Sequence, residues 1–565
     1  MRRFVPALID ALRQGVTPAS LLRDLLAGAT VAVIALPLAM AFGIASIPEH
    51  VAAELAAAHP WLTPPAMGIF TAIVAGFIIS AFGGSRVQIG GPTGAFIVIV
   101  YAIASEHGYA GLATATLMAG VIVIIMGVAR FGSVIKFIPY PVTTGFTTGI
   151  AVIIATGQLK DFLGLRIDGG VPAEFIHKLQ TYARHIGTVD PATVALAAAS
   201  LAALIALRRF APRLPAAIIT LIAAALAVRA LGLDVETIGA RFGDMPRALP
   251  TPHLPDLALA RDLIPEATTI AILCAIESLL SAVVADGMTG DRHNADAELV
   301  AQGAANIGAA MFWGIPATGA IARTVANIKT GASTPIAGVT HAVALLVILL
   351  VAAPLAGAVP LAALAAILLM VAWNMSELDH FRTLLRAPRS DIATLLTTFG
   401  LTVFADLTIA VGVGVVLASL LFMRRMAEVT GMGAIADELE DGLDREDRFS
   451  IHDRHVPHGV EVYEINGPFF FGVADRLADT LSDIEPPPRV FILRMRHVPA
   501  MDASGAHALD EFCAKCRRHG TTLILSGVRS QPRQALHKLG LLDRIGPANL
   551  QPDIDAALAR ARELL

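Results

Sequence analysis

The chain has 565 residues, of which 55% are hydrophobic and only 16% charged, and its mean hydropathy is +0.67. Such a composition excludes a soluble globular protein of this size and implies a polytopic membrane protein. The formal net charge of −4 says little by itself, so the placement of the charges carries the information.

Aromatic residues make up only 6% of the chain. Ala, Leu, Ile, Val and Gly therefore build the helices, and small residues let them approach closely. A span needs about 20 apolar residues, or fewer where a helix is broken. On that basis about fourteen spans are predicted, near 25–45, 66–82, 93–105, 111–129, 141–157, 190–207, 214–231, 265–285, 299–313, 318–328, 336–353, 359–374, 391–406 and 407–424. The third and tenth are unusually short. They carry two segments that echo one another: Gly90-Gly91-Pro92-Thr93-Gly94-Ala95-Phe96 and Gly314-Ile315-Pro316-Ala317-Thr318-Gly319-Ala320. Helix breaks in corresponding positions of two hydrophobic halves point to facing half-helix starts, and so to a transporter's substrate site. Seven spans per half, an odd number, imply inverted repeats.

Basic residues lie in the short loops of one side: Arg2, Arg3, Arg13 and Arg23, then Arg130 and Lys136, Arg208, Arg209 and Arg213, Arg382, Arg386 and Arg389, and Arg424 and Arg425. The positive-inside rule makes that side cytoplasmic and puts both termini there, in a cell inner membrane. No cleavable signal peptide is expected. After Met426 the composition changes. Residues 433–458 read as a charged linker within a boundary segment 427–458, and 459–565 read as a soluble α/β domain with strands near 461–465, 490–493 and 522–525 and helices from Asp475 and Ala503. The transporter domain is expected over 25–426, behind a cytoplasmic segment 1–24. Cys274, Cys513 and Cys516 read as free thiols, the last two being a chance pair on a helix.

Charges inside spans are costly and mark function or a structural ion pair. Glu277 falls in the eighth span and Arg323 about one turn into the tenth. The functional expectation makes Arg323, with Thr93 and Thr318, a partner for an anion between the half-helices; the alternative role of the two threonines is helix capping. Glu277 is expected to couple transport, by taking up a proton or, with Ser278 or Ser281 as oxygen donors, by holding sodium. Pro37 interrupts the first span, as a kink or to free a backbone acceptor, and Phe42 is a candidate apolar wall. His341, in the eleventh span, reads as a packing or interhelical hydrogen-bonding histidine. There is no Walker motif and no catalytic constellation, so an enzyme, a cofactor and a metal centre are not expected, and neither is a nucleic-acid partner.

These residues resemble the SulP anion transporter family, also called solute carrier family 26, over nearly the whole chain. The resemblance rests on Leu36-Pro37 with Ala39-Met40-Ala41, Gly84-Ser85-Arg86 followed by Gly91-Pro92, Glu277, Arg323, and a C-terminal domain similar to the STAS (sulfate transporter and anti-sigma factor antagonist) fold. It implies a core and a gate domain in seven-plus-seven inverted repeats, an elevator-like motion and a homodimer. By motif correspondence it places Leu38, Phe42, Thr93, Ala320, Ala322 and Arg323 around the anion; Gly94, Ala95 and Gly319 belong to the same breaks. Ala275-Ile276-Glu277-Ser278-Leu279-Leu280 and Met370-Val371-Ala372-Trp373-Asn374-Met375-Ser376-Glu377 are similar to the family's bacterial dicarboxylic acid transporters. Met501-Asp502-Ala503-Ser504-Gly505 resembles the phosphorylated loop of anti-sigma factor antagonists, with Ser504 at the modified position; a plain helix cap is the alternative. The function expected is secondary import of small carboxylates, four-carbon dicarboxylates first, by proton symport, with a cytoplasmic regulatory protein as a candidate STAS partner. The alternatives are a sodium-coupled bicarbonate or sulfate transporter and an anion channel with a regulatory module.

Overall fold

The structure, a computed structural model, describes residues 4–133, 139–167, 171–172, 174–211, 214–405, 407–429, 431–434, 455–470 and 487–565. The chain divides into two compact units, Met1–Val416 and Leu417–Leu565.

The helices of the membrane part are, in order, α1 (Ala7–Gln14), α2 (Pro18–Ser46), α3 (Glu49–Ala58), α4 (Pro64–Phe82), α5 (Ile97–Val128), α6 (Tyr140–Gly157), α7 (Leu159–Leu163), α8 (Phe175–Arg184), α9 (Pro191–Phe210), α10 (Ala216–Leu231), α11 (Ile238–Phe242), α12 (Ile264–Thr289), α13 (Ala295–Met311), α14 (Ile321–Lys329), α15 (Ile336–Ala356), α16 (Leu361–Met375), α17 (Leu378–Leu384), α18 (Arg389–Phe404) and α19 (Leu407–Val429). The predicted spans map onto these in order. Five of the helices begin with Pro just inside the first turn after Thr17, Thr63, Pro139, Asp190 or Leu263, positions where the missing N–H costs nothing. The third and fourth spans are both carried by α5, and only Gly108, at φ 63°, leaves helical geometry between them. The five-residue loop expected there is thus a one-residue break. α2 stays helical through Pro37.

Two bundles result. In the first, α2 packs on α4 and α15, α13 lies against α4 and α5, and α12 meets α5 and α14. In the second, α6 packs on α16 and α18, and α9 on α10 and α16. With α19 on α18 and α6, where a Cβ on Gly414 would stand 2.5 Å from Thr398 Oγ1 and 3.2 Å from Val142 Cγ1, each half of the chain gives four spans to the first bundle and three to the second, as two repeats of seven require. Small residues bring backbones together: a Cβ on Gly68 would stand 1.9 Å from the Ala39 carbonyl oxygen, so α2 and α4 touch where no side chain fits.

The second unit is a five-stranded sheet in the order β3-β4-β5-β6-β7, from Gly431–Ala434, Val460–Asn466, Val490–His497, Thr522–Ser526 and Leu550–Gln551. The short β1 and β2 belong to the membrane part and are described below. β3 is antiparallel to β4 and the other neighbours are parallel. Helices α20 (Ala503–Arg518), α21 (Ser530–Lys538), α22 (Leu541–Ile545) and α23 (Ile554–Leu564) accompany it. Phe491 and Leu493 of β5 face Leu509 and Phe512 in one apolar layer, and Val490 and Ile492 face Ile554 and Leu558 in another. That period-2 alternation of a strand buried on both faces makes this an independent α/β domain. β3 corrects the domain boundary, because part of the segment read as linker is a sheet strand. The helix expected from Asp475 lies outside the described residues.

Candidate functional site

The two echoing segments lie side by side. β1 (Gly90–Gly91) pairs antiparallel with β2 (Thr318–Gly319), with Gly90 opposite Gly319 and Gly91 opposite Thr318. The Ala320 N–H donates to the Ile89 carbonyl at 2.8 Å and extends the ribbon. Each strand then turns into a helix start. After Pro92 and Thr93 a 3-10 turn, Gly94–Phe96, leads into α5; after Ala320 comes α14. Two helix N-termini, each with a partial positive charge, therefore come together at the ribbon.

Arg323 adds a full charge there. It is 3% exposed. Its guanidinium donates to the Pro92 carbonyl and, at 3.5 Å, to the Gly90 carbonyl, both on the opposite limb. Among the described residues no carboxylate pairs with it. Gly91 is required beneath it: φ is +141°, and a Cβ would sit 2.7 Å from Arg323 Nη1. A buried cation without a counter-charge is costly unless an anion completes it.

The two threonines differ, and neither caps its helix. Thr318 is fully buried; its hydroxyl lies 2.8 Å from Ser278 Oγ and donates to the Cys274 carbonyl at 3.1 Å. The Thr93 hydroxyl is buried and has no partner among the described residues, and Ala320, which has no capping side chain, stands at the N-cap position of α14. Around Gly94 stand apolar atoms. A Cβ there would lie 2.9 Å from Met375 Sδ, 3.3 Å from Ile154 Cδ1 and 3.6 Å from Phe42 Cε1. Ala95 and Ala320 are buried, Leu38 is half-buried and Ala322 is exposed.

Glu277 on α12 is half-buried and has no hydrogen-bond or ion-pair partner among the described residues. Glu377 holds a left-handed conformation at φ 42° before α17. Ser278 and Ser281 do not gather round Glu277. Ser278 is taken up by Thr318 and its own helix, and Ser281 Oγ lies 3.2 Å from Thr324 Oγ1 on α14. The expected pairing of these hydroxyls with Glu277 in a sodium site is therefore not assembled. Among the described residues no group of three His, Cys, Asp or Glu could hold a metal ion.

Sequence reasoning missed Asn306, Gln88, Ile154 and Met375. Asn306 Nδ2 donates to the Ala317 carbonyl at 2.8 Å and its Oδ1 accepts from the Ala317 N–H at 2.9 Å, which pins the segment entering β2. Gln88 Nε2 donates to the Ser278 carbonyl at 3.2 Å. An amide in an apolar span was the available signal for Asn306. His341 is fully buried beside α4, and neither ring nitrogen has a hydrogen-bond partner among the described residues, so of the two expected roles only packing is seen. In the second unit Ser504 is exposed on the first turn of α20, and Asp502 caps that helix by accepting from the Gly505 N–H at 2.7 Å. All three cysteines are free thiols, and burial pushes the Cys516 thiol up to about 12.

Residues 21–398 match the model of the sulfate permease family, and residues 453–557 match that of the STAS domain. The chain is 41% identical over 528 residues to the "Putative sulfate transporter YvdB" of Bacillus subtilis (strain 168), covering 93% of this chain and 94% of that protein. It is 30% identical over 564 residues to the bicarbonate transporter BicA of Picosynechococcus sp., covering 95% and 94%. The fold is also that of the murine Slc26a9 anion transporter in its inward-facing state: TM-score 0.85 at 17% identity, over 99% of this chain and 94% of that one.

Proposed function

This chain belongs to the sulfate permease family, also called SulP or solute carrier family 26, and from that premise we propose that the meeting point of α5 and α14 is where it holds the anion it transports. Anion transport itself follows from the family. The observation that carries the site is Arg323: a buried guanidinium without a carboxylate partner among the described residues, aimed at the start of the opposite half-helix. The anion's oxygens would take the free N–H groups of Gly94, Ala95, Ala322 and Arg323, the idle Thr93 hydroxyl and the Arg323 charge. Thr318 and Gly319 hold the ribbon.

The cargo we favour is a small carboxylate, with four-carbon dicarboxylates such as succinate, fumarate and aspartate first. Ile154, Met375 and Phe42 give the pocket an apolar wall, which suits a hydrocarbon chain between two carboxylates better than it suits sulfate. Bicarbonate or sulfate is the second reading, favoured by what YvdB and BicA are named for. A proton on Glu277 is the coupling ion of the first reading, since its carboxylate stands alone while the neighbouring hydroxyls are engaged elsewhere. Transport then proceeds as the first bundle slides against the second, in a homodimer of an inner membrane with both termini cytoplasmic. Ser504, exposed at a helix start, is the candidate regulatory position toward a cytoplasmic partner.

Uptake of labelled succinate, bicarbonate and sulfate by proteoliposomes, each under an imposed proton or sodium gradient, tests cargo and coupling together. Succinate accumulation driven by a proton gradient, and made independent of that gradient by Glu277→Gln, is expected. Accumulation of sulfate or bicarbonate alone, driven by sodium, would replace the first reading by the second. Flux of any anion without accumulation would favour a channel.

A further inference from the structure

On the face that carries loops 46–65, 159–189 and 233–264, charges from the two bundles meet across a cavity of about 460 Å³ lined by Glu49, Thr63, Lys160, Arg166, Glu236 and Arg241. Glu49 opens α3, which follows α2 and packs on α5 of the first bundle. Lys160 and Asp161 are on α7, which packs on α9 and α16 of the second. Arg241 is on α11, tied to the start of α16 by the Ile238 N–H to the Val359 carbonyl at 2.9 Å and the Leu361 N–H to the Glu236 carbonyl at 3.0 Å.

The pairing is lopsided. Arg241 keeps two carboxylates of its own bundle, Asp161 at 2.9 Å and Glu236, and Glu49 is a third at 3.9 Å. Burial works against its charge, but Asp161 and Glu236 more than offset that and hold its pKa above the ordinary arginine value. Lys160 has only Glu49, across the bundle boundary, as an ion-pair partner among the described residues, and its side chain is 14% exposed. Nearby the pattern repeats: Lys178 of α8, buried, stands 5.4 Å from the ring of Tyr101 on α5, with no ion-pair partner among the described residues. Cations are on the second bundle, and the one carboxylate that crosses to Lys160 comes from the first.

We propose that Lys160 and Arg241 form an anion-receiving site at this mouth, that Glu49 fills it as a tethered carboxylate in the conformation seen, and that a small oxyanion takes its place when the bundles part. Glu49 then does two things. It latches this face shut, and it withholds the cations until they are needed to draw in cargo. The inference rests on the reading that the two bundles move against one another.

The test uses the full chain in nanodiscs, where both faces are open to reagent, with Thr63→Cys as reporter. Thr63 lines the cavity and is 2% exposed. Maleimide labelling is expected to quicken about fivefold in Glu49→Gln and in Lys160→Gln, as befits one partly exposed ion pair. The swap Glu49→Lys with Lys160→Glu should restore the slow rate, and Asp161→Asn, which touches only its own bundle, should leave it slow. Succinate or bicarbonate should protect the reporter in Glu49→Gln but not once Lys160→Gln is added. Unchanged labelling in both single variants overturns the latch; quickened labelling without anion protection overturns the receiving site. A Thr93→Cys reporter separates the underlying reading. If its labelling ignores substrate, the bundle motion falls together with the latch. If it responds while Thr63→Cys ignores Glu49, only the latch falls.

Discussion

The two helix starts that meet at the β1–β2 ribbon echo each other in sequence and differ in how they are held. The second limb is fastened on every side: Thr318 to Ser278 and Cys274, the segment before it to Asn306, and Thr324 to Ser281 and to the Ile89 N–H. The first limb enters α5 through a single 3-10 turn, carries a Thr93 hydroxyl with no partner among the described residues, and has its Pro92 and Gly90 carbonyls bound by Arg323 from the second limb. Equal motifs are thus held unequally, and the proposed anion site uses one as scaffold and one as reader. The reader is the limb whose polar atoms are left unsatisfied.

The strongest way to break the contrast is to remove the group that joins the limbs. Arg323→Gln forfeits a buried charge and its charge-assisted hydrogen bonds, so anion uptake should fall by about 100-fold, the equivalent of about 3 kcal/mol. Arg323→Lys should recover only part of it, because an ammonium lacks the planar fork. Both are read as initial uptake rates in proteoliposomes. Next come changes to the scaffold. Thr318→Val and Asn306→Ala each leave buried partners unpaired and should cost about 1–3 kcal/mol of stability, seen as a lowered melting temperature of the purified protein. Thr93→Val should behave in the opposite sense. Melting is expected to stay near wild type, while the substrate concentration for half-maximal uptake rises about five- to tenfold for the loss of one hydrogen bond. The mildest change sharpens the contrast by thiol chemistry. A Thr93→Cys thiol should react with maleimide and be slowed by substrate, whereas buried Cys274 on the scaffold side stays silent; Cys516, held near 12 by burial, stays silent too until the chain is unfolded.

Most of the membrane fold was legible because a bilayer demands long apolar runs, and those runs fall on the helices within a few residues. The meeting of the two breaks was legible for a related reason: a Gly/Pro interruption inside a span is tolerated only where other protein groups satisfy it. The unequal fates of Thr93 and Thr318 were not, since they depend on Ser278 and the Cys274 carbonyl of another helix, contacts that no local pattern encodes. Ser278 and Ser281 misled for the same reason. Their nearness to Glu277 in sequence says nothing of which helix face each occupies: Ser278 turns to Thr318 of β2 and Ser281 to Thr324 of α14. β3 was hidden because Gly431-Met432-Gly433-Ala434 has neither alternation nor β-branched residues, and β4 supplies the pairing that makes it a strand. The cluster of Glu49, Lys160 and Arg241 could not be read at all, as its members come from three loops far apart in the chain.

The account turns on an anion at the junction of α5 and α14. A cryo-electron microscopy map of the protein saturated with succinate tests it most directly. Density between the Thr93 hydroxyl, the first N–H groups of α14 and the Arg323 guanidinium is the predicted result. Arg323 still bound only to the Pro92 and Gly90 carbonyls, with the anion resolved elsewhere, would contradict it.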